Sequence, residues 1–91
     1  MAAVTYTDGT EKRLGATESM IRTWISPSTM DSNDTVVVPT VTGATVRVLS
    51  AFDNTTGDSV TASVSSYTIT VDAAGSTTDH EYVITYMYQQ G

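Results

Sequence analysis

Cysteine is absent from this chain, which excludes a disulfide framework, a thiol nucleophile and a zinc–thiolate centre. Large aliphatic side chains are scarce: 91 residues contain 18 Val, Ile, Leu and Phe against 28 Ser and Thr. Cations are few as well, with four Lys and Arg against ten Asp and Glu, a formal net charge of −6. Nucleic-acid affinity comes largely from cations that displace condensed counterions, so direct contact with DNA or RNA is not expected. Anionic membrane surfaces are disfavoured by the same charge. No apolar run exceeds the four residues Met1–Val4, too short for a bilayer span or a signal-peptide core.

What charge there is lies unevenly. Residues 1–30 balance Asp8, Glu11 and Glu18 with Lys12, Arg13 and Arg22, while residues 31–91 hold seven acids and Arg47 alone. The length fits one domain. We read residues 1–18 as an N-terminal arm and turn segment and residues 19–91 as the folded body.

β-branched residues and tyrosine dominate that body and alternate with short polar residues. Val60–Val64 and Tyr67–Val71 read as a hairpin around a Ser65-Ser66 loop. In that register Val64 faces Tyr67, Ala62 faces Ile69 and Val60 faces Val71, with the hydroxyl residues on the opposite side. Thr45–Phe52 places Val46, Val48 and Phe52 on one face and Arg47, Leu49 and Ala51 on the other. Asp34–Val38 is a short strand stopped by Pro39. The last strand, His80–Gln89, carries Tyr82, Ile84, Tyr86 and Tyr88 on one face and Val83 and Met87 on the other. A strand apolar on both faces needs a cover on both.

The first third is less regular. Val4 and Tyr6 suggest an extended arm, and Asp8 followed by Glu11 can cap one helical turn at Glu11–Leu14, ended by Gly15. Met20–Ser26 sets Ile21, Thr23 and Ile25 against Arg22 and Trp24, which favours a strand, although Leu14, Ile21 and Ile25 also fit a helix. The expected fold is all-β: one antiparallel β-sandwich or small barrel of about seven short strands, with an extended N-terminal arm. Ordering a residue costs about 1.5 kcal/mol, which a core this thin barely offsets, so burial against another chain is expected.

Site chemistry is sparse. His80 lacks a sequence motif that would select a nucleophile and an orienting carboxylate around it, and it reads as a polar residue opening the last strand. Nucleophile-elbow, Walker A, dinucleotide and metalloprotease motifs are missing. No catalytic residue, cofactor or metal ligand is therefore assigned. Asp53–Asp58 and the group Asp31, Asn33 and Asp34 could offer oxygens to calcium, but they read as turn formers that bond their own backbone. Trp24 and the stripe Tyr82, Tyr86 and Tyr88 could stack on sugars, contact a protein or fill the core.

One resemblance adds a function. The opening Ala2-Ala3-Val4-Thr5-Tyr6-Thr7-Asp8, then Lys12-Arg13-Leu14-Gly15 and the Ile-Arg-Thr-Trp-Ile strand, resembles small structural proteins of tailed-phage virions. The Thr- and Val-rich body with Asn54-Thr55-Thr56-Gly57-Asp58 and a terminal Tyr-Val-Ile-Thr-Tyr-Met-Tyr strand is similar to their capsid decoration, or cement, proteins. The resemblance implies an oligomer, a trimer foremost, assembled in the host cytoplasm. It would bind major capsid protein on the outer surface of the shell and hold it against internal pressure. The contact residues expected are Val4, Tyr6, Lys12, Arg13, Trp24, Tyr86 and Tyr88. The alternatives are a carbohydrate- or protein-binding sandwich module of a fibre or surface protein, and a tail or neck connector.

Overall fold

The computed structural model describes residues 3–13, 21–72 and 78–90. Its strands are β1 (Ala3–Val4), β2 (Thr10–Arg13), β3 (Ile21–Ile25), β4 (Thr35–Val37), β5 (Ala44–Asp53), β6 (Thr61–Ser65), β7 (Thr68–Asp72) and β8 (Tyr82–Gln90). They form two four-stranded sheets, ordered β1-β4-β7-β6 and β2-β3-β8-β5, packed as a β-sandwich. Every pairing is antiparallel except β1 on β4. The fold class is the one expected, with eight strands among the described residues.

The additional strand is β2. Capping chemistry pointed to a helical turn at Glu11–Leu14, yet Thr10–Arg13 pairs in register with Ile25–Arg22. A ladder with a neighbouring strand satisfies more backbone groups than one isolated turn, and tertiary pairing overrides the local signal. Leu14 and Gly15 lie outside the described residues. Of the segment 1–18, residues 3–13 run along the sandwich: β1 edges one sheet, a 3-10 turn at Tyr6–Asp8 crosses over, and β2 edges the other.

The β6–β7 hairpin keeps its faces and shifts its register. Ala62 opposes Val71, Val64 opposes Ile69 and Ser65 opposes Thr68, so the loop is Ser66-Tyr67 rather than Ser65-Ser66. Ser66 takes a positive φ of 57°, and the Tyr67 hydroxyl donates to the carbonyls of Val41 (2.6 Å) and Ala44 (2.9 Å). Anchoring the ring there draws Tyr67 out of the ladder. Moving each partner by two positions leaves side-chain parity intact.

Parity does change in β5. Val48 pairs with Tyr86 and Ser50 with Thr85, leaving Leu49 as an unpaired additional residue. Such a bulge reverses the side on which every later side chain points. Val46 and Val48 face inward as expected, but beyond the bulge Ala51 and Asp53 take the inner side and Phe52 turns outward, 37% exposed. The expected grouping of Phe52 with Val46 and Val48 is therefore corrected.

Between the sheets lie Trp24, Met30, Val36, Ile69, Ile84 and the even-numbered tyrosines of β8, all essentially without solvent contact. Gly9 is required by close approach: a Cβ there would overlap the Ile25 carbonyl oxygen and come within 2.6 Å of Trp24 Nε1. Overpacking of this kind costs about 1–3 kcal/mol. Gly9→Ala is expected to lower unfolding free energy by that amount in urea titration; an unchanged midpoint would contradict this packing.

Candidate functional site

Two clusters of polar and aromatic side chains occupy the interior of the β2-β3-β8-β5 sheet. The first is centred on Asp53. The Leu49 bulge aims this residue inward, where it is 3% exposed. Its Oδ1 accepts the backbone N–H groups of Thr55 (2.8 Å) and Thr56 (3.2 Å), and its Oδ2 accepts His80 Nδ1–H at 2.5 Å. Gly57, with φ +83°, closes the turn by donating its N–H to the Asp53 carbonyl. Glu81 ties the turn to the approach of β8, since its N–H donates to Thr55 Oγ1 and its carboxylate accepts Asn54 Nδ2. His80 itself sits in a bridge with Met30, to whose carbonyl it donates its N–H at 2.9 Å.

Burial pushes the Asp53 carboxyl up, while the His80 hydrogen bond, the Thr55 and Thr56 N–H groups and the His80 charge pull it down; the net direction is down. A carboxylate and the imidazole that it fixes through Nδ1 are two of the three members of a nucleophilic triad. Among the described residues no hydroxyl is hydrogen-bonded to the ring. The contacts that the pair does make fasten the β5–β6 turn to the start of β8.

The second cluster surrounds Tyr6. Its ring stacks on Trp24 at 5.7 Å and 17°, and Trp24 Nε1 donates to the Tyr6 carbonyl at 2.8 Å. The Tyr6 hydroxyl donates to Glu11 Oε2 at 2.7 Å, which assigns the proton of the 2.7 Å Tyr6–Tyr86 contact to Tyr86. Arg22 Nη1 lies 3.6 Å from the same Glu11 oxygen, and its guanidinium sits 4.9 Å from the Tyr88 ring centre. Tyr88 meets Tyr86 edge-on and donates its hydroxyl to the Pro39 carbonyl at 2.5 Å. Burial raises the Tyr6 hydroxyl far above its ordinary value, reinforced by Tyr86 and Glu11, and it raises Tyr88 as well.

This network corrects the expected contact set. Trp24, Tyr86 and Tyr88 are at most 1% exposed, so none of them offers a sugar-stacking or partner face. Arg22 and Trp24 turn inward on β3 and leave Ile21 and Ile25 half-buried on the outside. Tyr6 is half-buried against Trp24. Val4 is half-buried on the edge strand β1, and Lys12 is exposed on the edge strand β2. Arg13 stands opposite Arg22 in the ladder, and its side chain lies outside the described residues.

The acidic turns are occupied by their own backbone. Asp31 accepts the Asp79 N–H at 3.0 Å, and Asp34 Oδ2 accepts the Asp31 N–H at 2.9 Å. Among the described residues no group of three His, Asp or Glu side chains is placed to hold a metal, and no helix is long and apolar enough to cross a membrane. Asp53 as the partner of His80 was missed by sequence reasoning, because the bulge that aims it inward has no sequence signature.

An ionised Asp53 stabilises the fold above the ordinary carboxylate range, near pH 4, and that stability is lost as pH falls through its lowered folded value. Asp53→Asn is expected to cost about 1–3 kcal/mol at pH 7 and to flatten the acid limb of the stability curve measured by urea titration. An acid limb of unchanged steepness would remove Asp53 from this role. No protein-family model, no curated protein and no solved structure matches this chain.

Proposed function

We propose that this chain is a virion structural protein, a capsid decoration protein that binds major capsid protein on the outer shell surface and stabilises it. One observation carries the reading. Both sheets of the sandwich end on the same side in edge strands supplied by the N-terminal segment, β1 and β2. An edge strand presents unpaired N–H and C=O groups and can accept a strand from a neighbour. Val4, half-buried on β1, and Lys12, exposed on β2, border those edges.

The chemistry of the rest is compatible with a clamp. The described aromatic and titratable interior groups hold the fold together, and clamping requires no catalytic group. An acidic body suits the outer face of a shell better than one lined with DNA. Repetition of a modest contact over many copies raises overall binding through effective concentration.

The test is co-sedimentation with capsids purified from the encoding phage and stripped of small decoration proteins. Deleting residues 1–15 would remove Tyr6 and Glu11 and so damage the core. Deleting residues 1–4 removes β1 and, with Val4, one contact at the margin of the core. The full chain is expected to bind and to raise the temperature of capsid disruption, while the 1–4 deletion binds at least tenfold more weakly with an unchanged circular dichroism spectrum. Equal binding by the deletion would remove the edge from the mechanism; failure of the full chain to bind, or binding confined to tails, would overturn the decoration role.

A further inference from the structure

The outer face of the β2-β3-β8-β5 sheet carries a group of apolar side chains, of which Leu49 and Phe52 are exposed. Ile25, Val83 and Phe52 are neighbours in one cross-strand row, and Ile21 and Met87 in another that ends at Arg47. Thr23, Thr85 and Ser50 lie between the rows, with the two threonine hydroxyls 3.2 Å apart. Leu49 is 45% exposed and Phe52 37%, while the Ile, Val and Met side chains are half-buried. The outer face of the other sheet is different. It presents Thr61, Ser63, Ser65, Thr68, Thr70 and Asp72, with Val37 as its exposed large apolar residue.

Charge on the apolar face is arranged along the strands. Arg47 is exposed in the first half of β5, before the bulge, and Asp58 is exposed in the turn that follows β5. Glu81 enters β8 at that same acidic end, opposite the turn. From end to end the face therefore reads cation, apolar, acid. A second copy rotated about a two-fold axis in the plane of the face, perpendicular to the strands, meets it with strand directions reversed. The Ile25–Val83–Phe52 row then covers the partner's Ile21, Met87 and Arg47, and the same contact is made twice. Each Arg47 comes over an aromatic ring and toward the acidic turn beyond it. Keeping the strand directions aligned would bring the two cationic ends together and the two acidic ends together. Lys12, opposite Thr23 on the edge strand β2, borders the same face and meets its own copy there, at the edge of the contact.

We propose that this face is the interface of a two-fold dimer of the chain. An isologous interface requires a surface complementary to itself, and a reversed charge gradient over an apolar centre meets that requirement. The two-fold arrangement departs from the trimer that the phage resemblance implies. It concerns copies of this chain alone, so its test needs no capsid, and the two readings fail separately.

Sedimentation equilibrium of the full chain over a hundredfold range of concentration tests it. The expected result is a reversible transition from the chain mass to twice that mass. Phe52→Glu, at an exposed position, is expected to weaken the dimer at least tenfold without changing the monomer's circular dichroism. Arg47→Glu is expected to weaken it as well, and Arg47→Glu combined with Asp58→Arg to restore most of the loss. A chain monomeric throughout, a trimer, or a dimer indifferent to Phe52→Glu would overturn the proposal. A charge swap without recovery would overturn the strand-reversed arrangement.

Discussion

A β-strand alternates its side chains with a period of two, so one additional residue exchanges inside and outside for everything beyond it. In β5 that residue is Leu49. Before it, Val46 and Val48 face the core; after it, Ala51 and Asp53 do, and Phe52 does not. The buried Asp53 would be costly without partners, and it obtains three: two backbone N–H groups of its own turn and the imidazole of His80. Those bonds fix the β5–β6 turn against the start of β8. The outward Phe52, in turn, completes an apolar row across the sheet. One local irregularity thus sets both an interior fastening and an exterior surface.

The same sheet holds several polar groups inside. Glu11, Arg22 and three tyrosines of β8 share the interior side with Trp24. Buried hydroxyls stabilise only when paired: those of Tyr6 and Tyr86 are joined to each other, that of Tyr6 also to Glu11, and that of Tyr88 to the Pro39 carbonyl. The large rings supply the buried area that a chain poor in leucine and phenylalanine lacks. With the aromatic rings directed inward, the aliphatic residues of β3 and the odd-numbered residues of β8 are left for the outside. Thin composition and an apolar outer face are two aspects of one distribution.

Much of this was legible in the sequence, and the failures have physical causes. Alternation of β-branched residues located β5 to β8 to within one or two residues and grouped Tyr82, Ile84, Tyr86 and Tyr88 on one face. Alternation in β3 separated Ile21, Thr23 and Ile25 from Arg22 and Trp24, but a period of two does not say which side is interior. Hydropathy favours the isoleucines there; the stacked Tyr6 and the Tyr86–Tyr88 pair on β8 decided for Trp24. The capping pattern at Asp8 and Glu11 was genuine local chemistry overruled by a strand partner distant in the sequence. His80 and Asp53 are 27 positions apart. Their meeting depends on the bulge, and Leu49-Ser50 carries no glycine or proline to announce it.

The parity reversal in β5 is the point on which the account depends most, and a chain without cysteine allows it to be measured cleanly. Single substitutions Ala51→Cys and Phe52→Cys, exposed to a maleimide in the native state, report which of the two positions faces solvent. At concentrations below the dimer transition, the thiol at position 52 is expected to react at least tenfold faster than the thiol at position 51. Rapid reaction at 51 with protection at 52 would mean an unbroken strand, Phe52 in the core and Asp53 outside, and would contradict the account at its base.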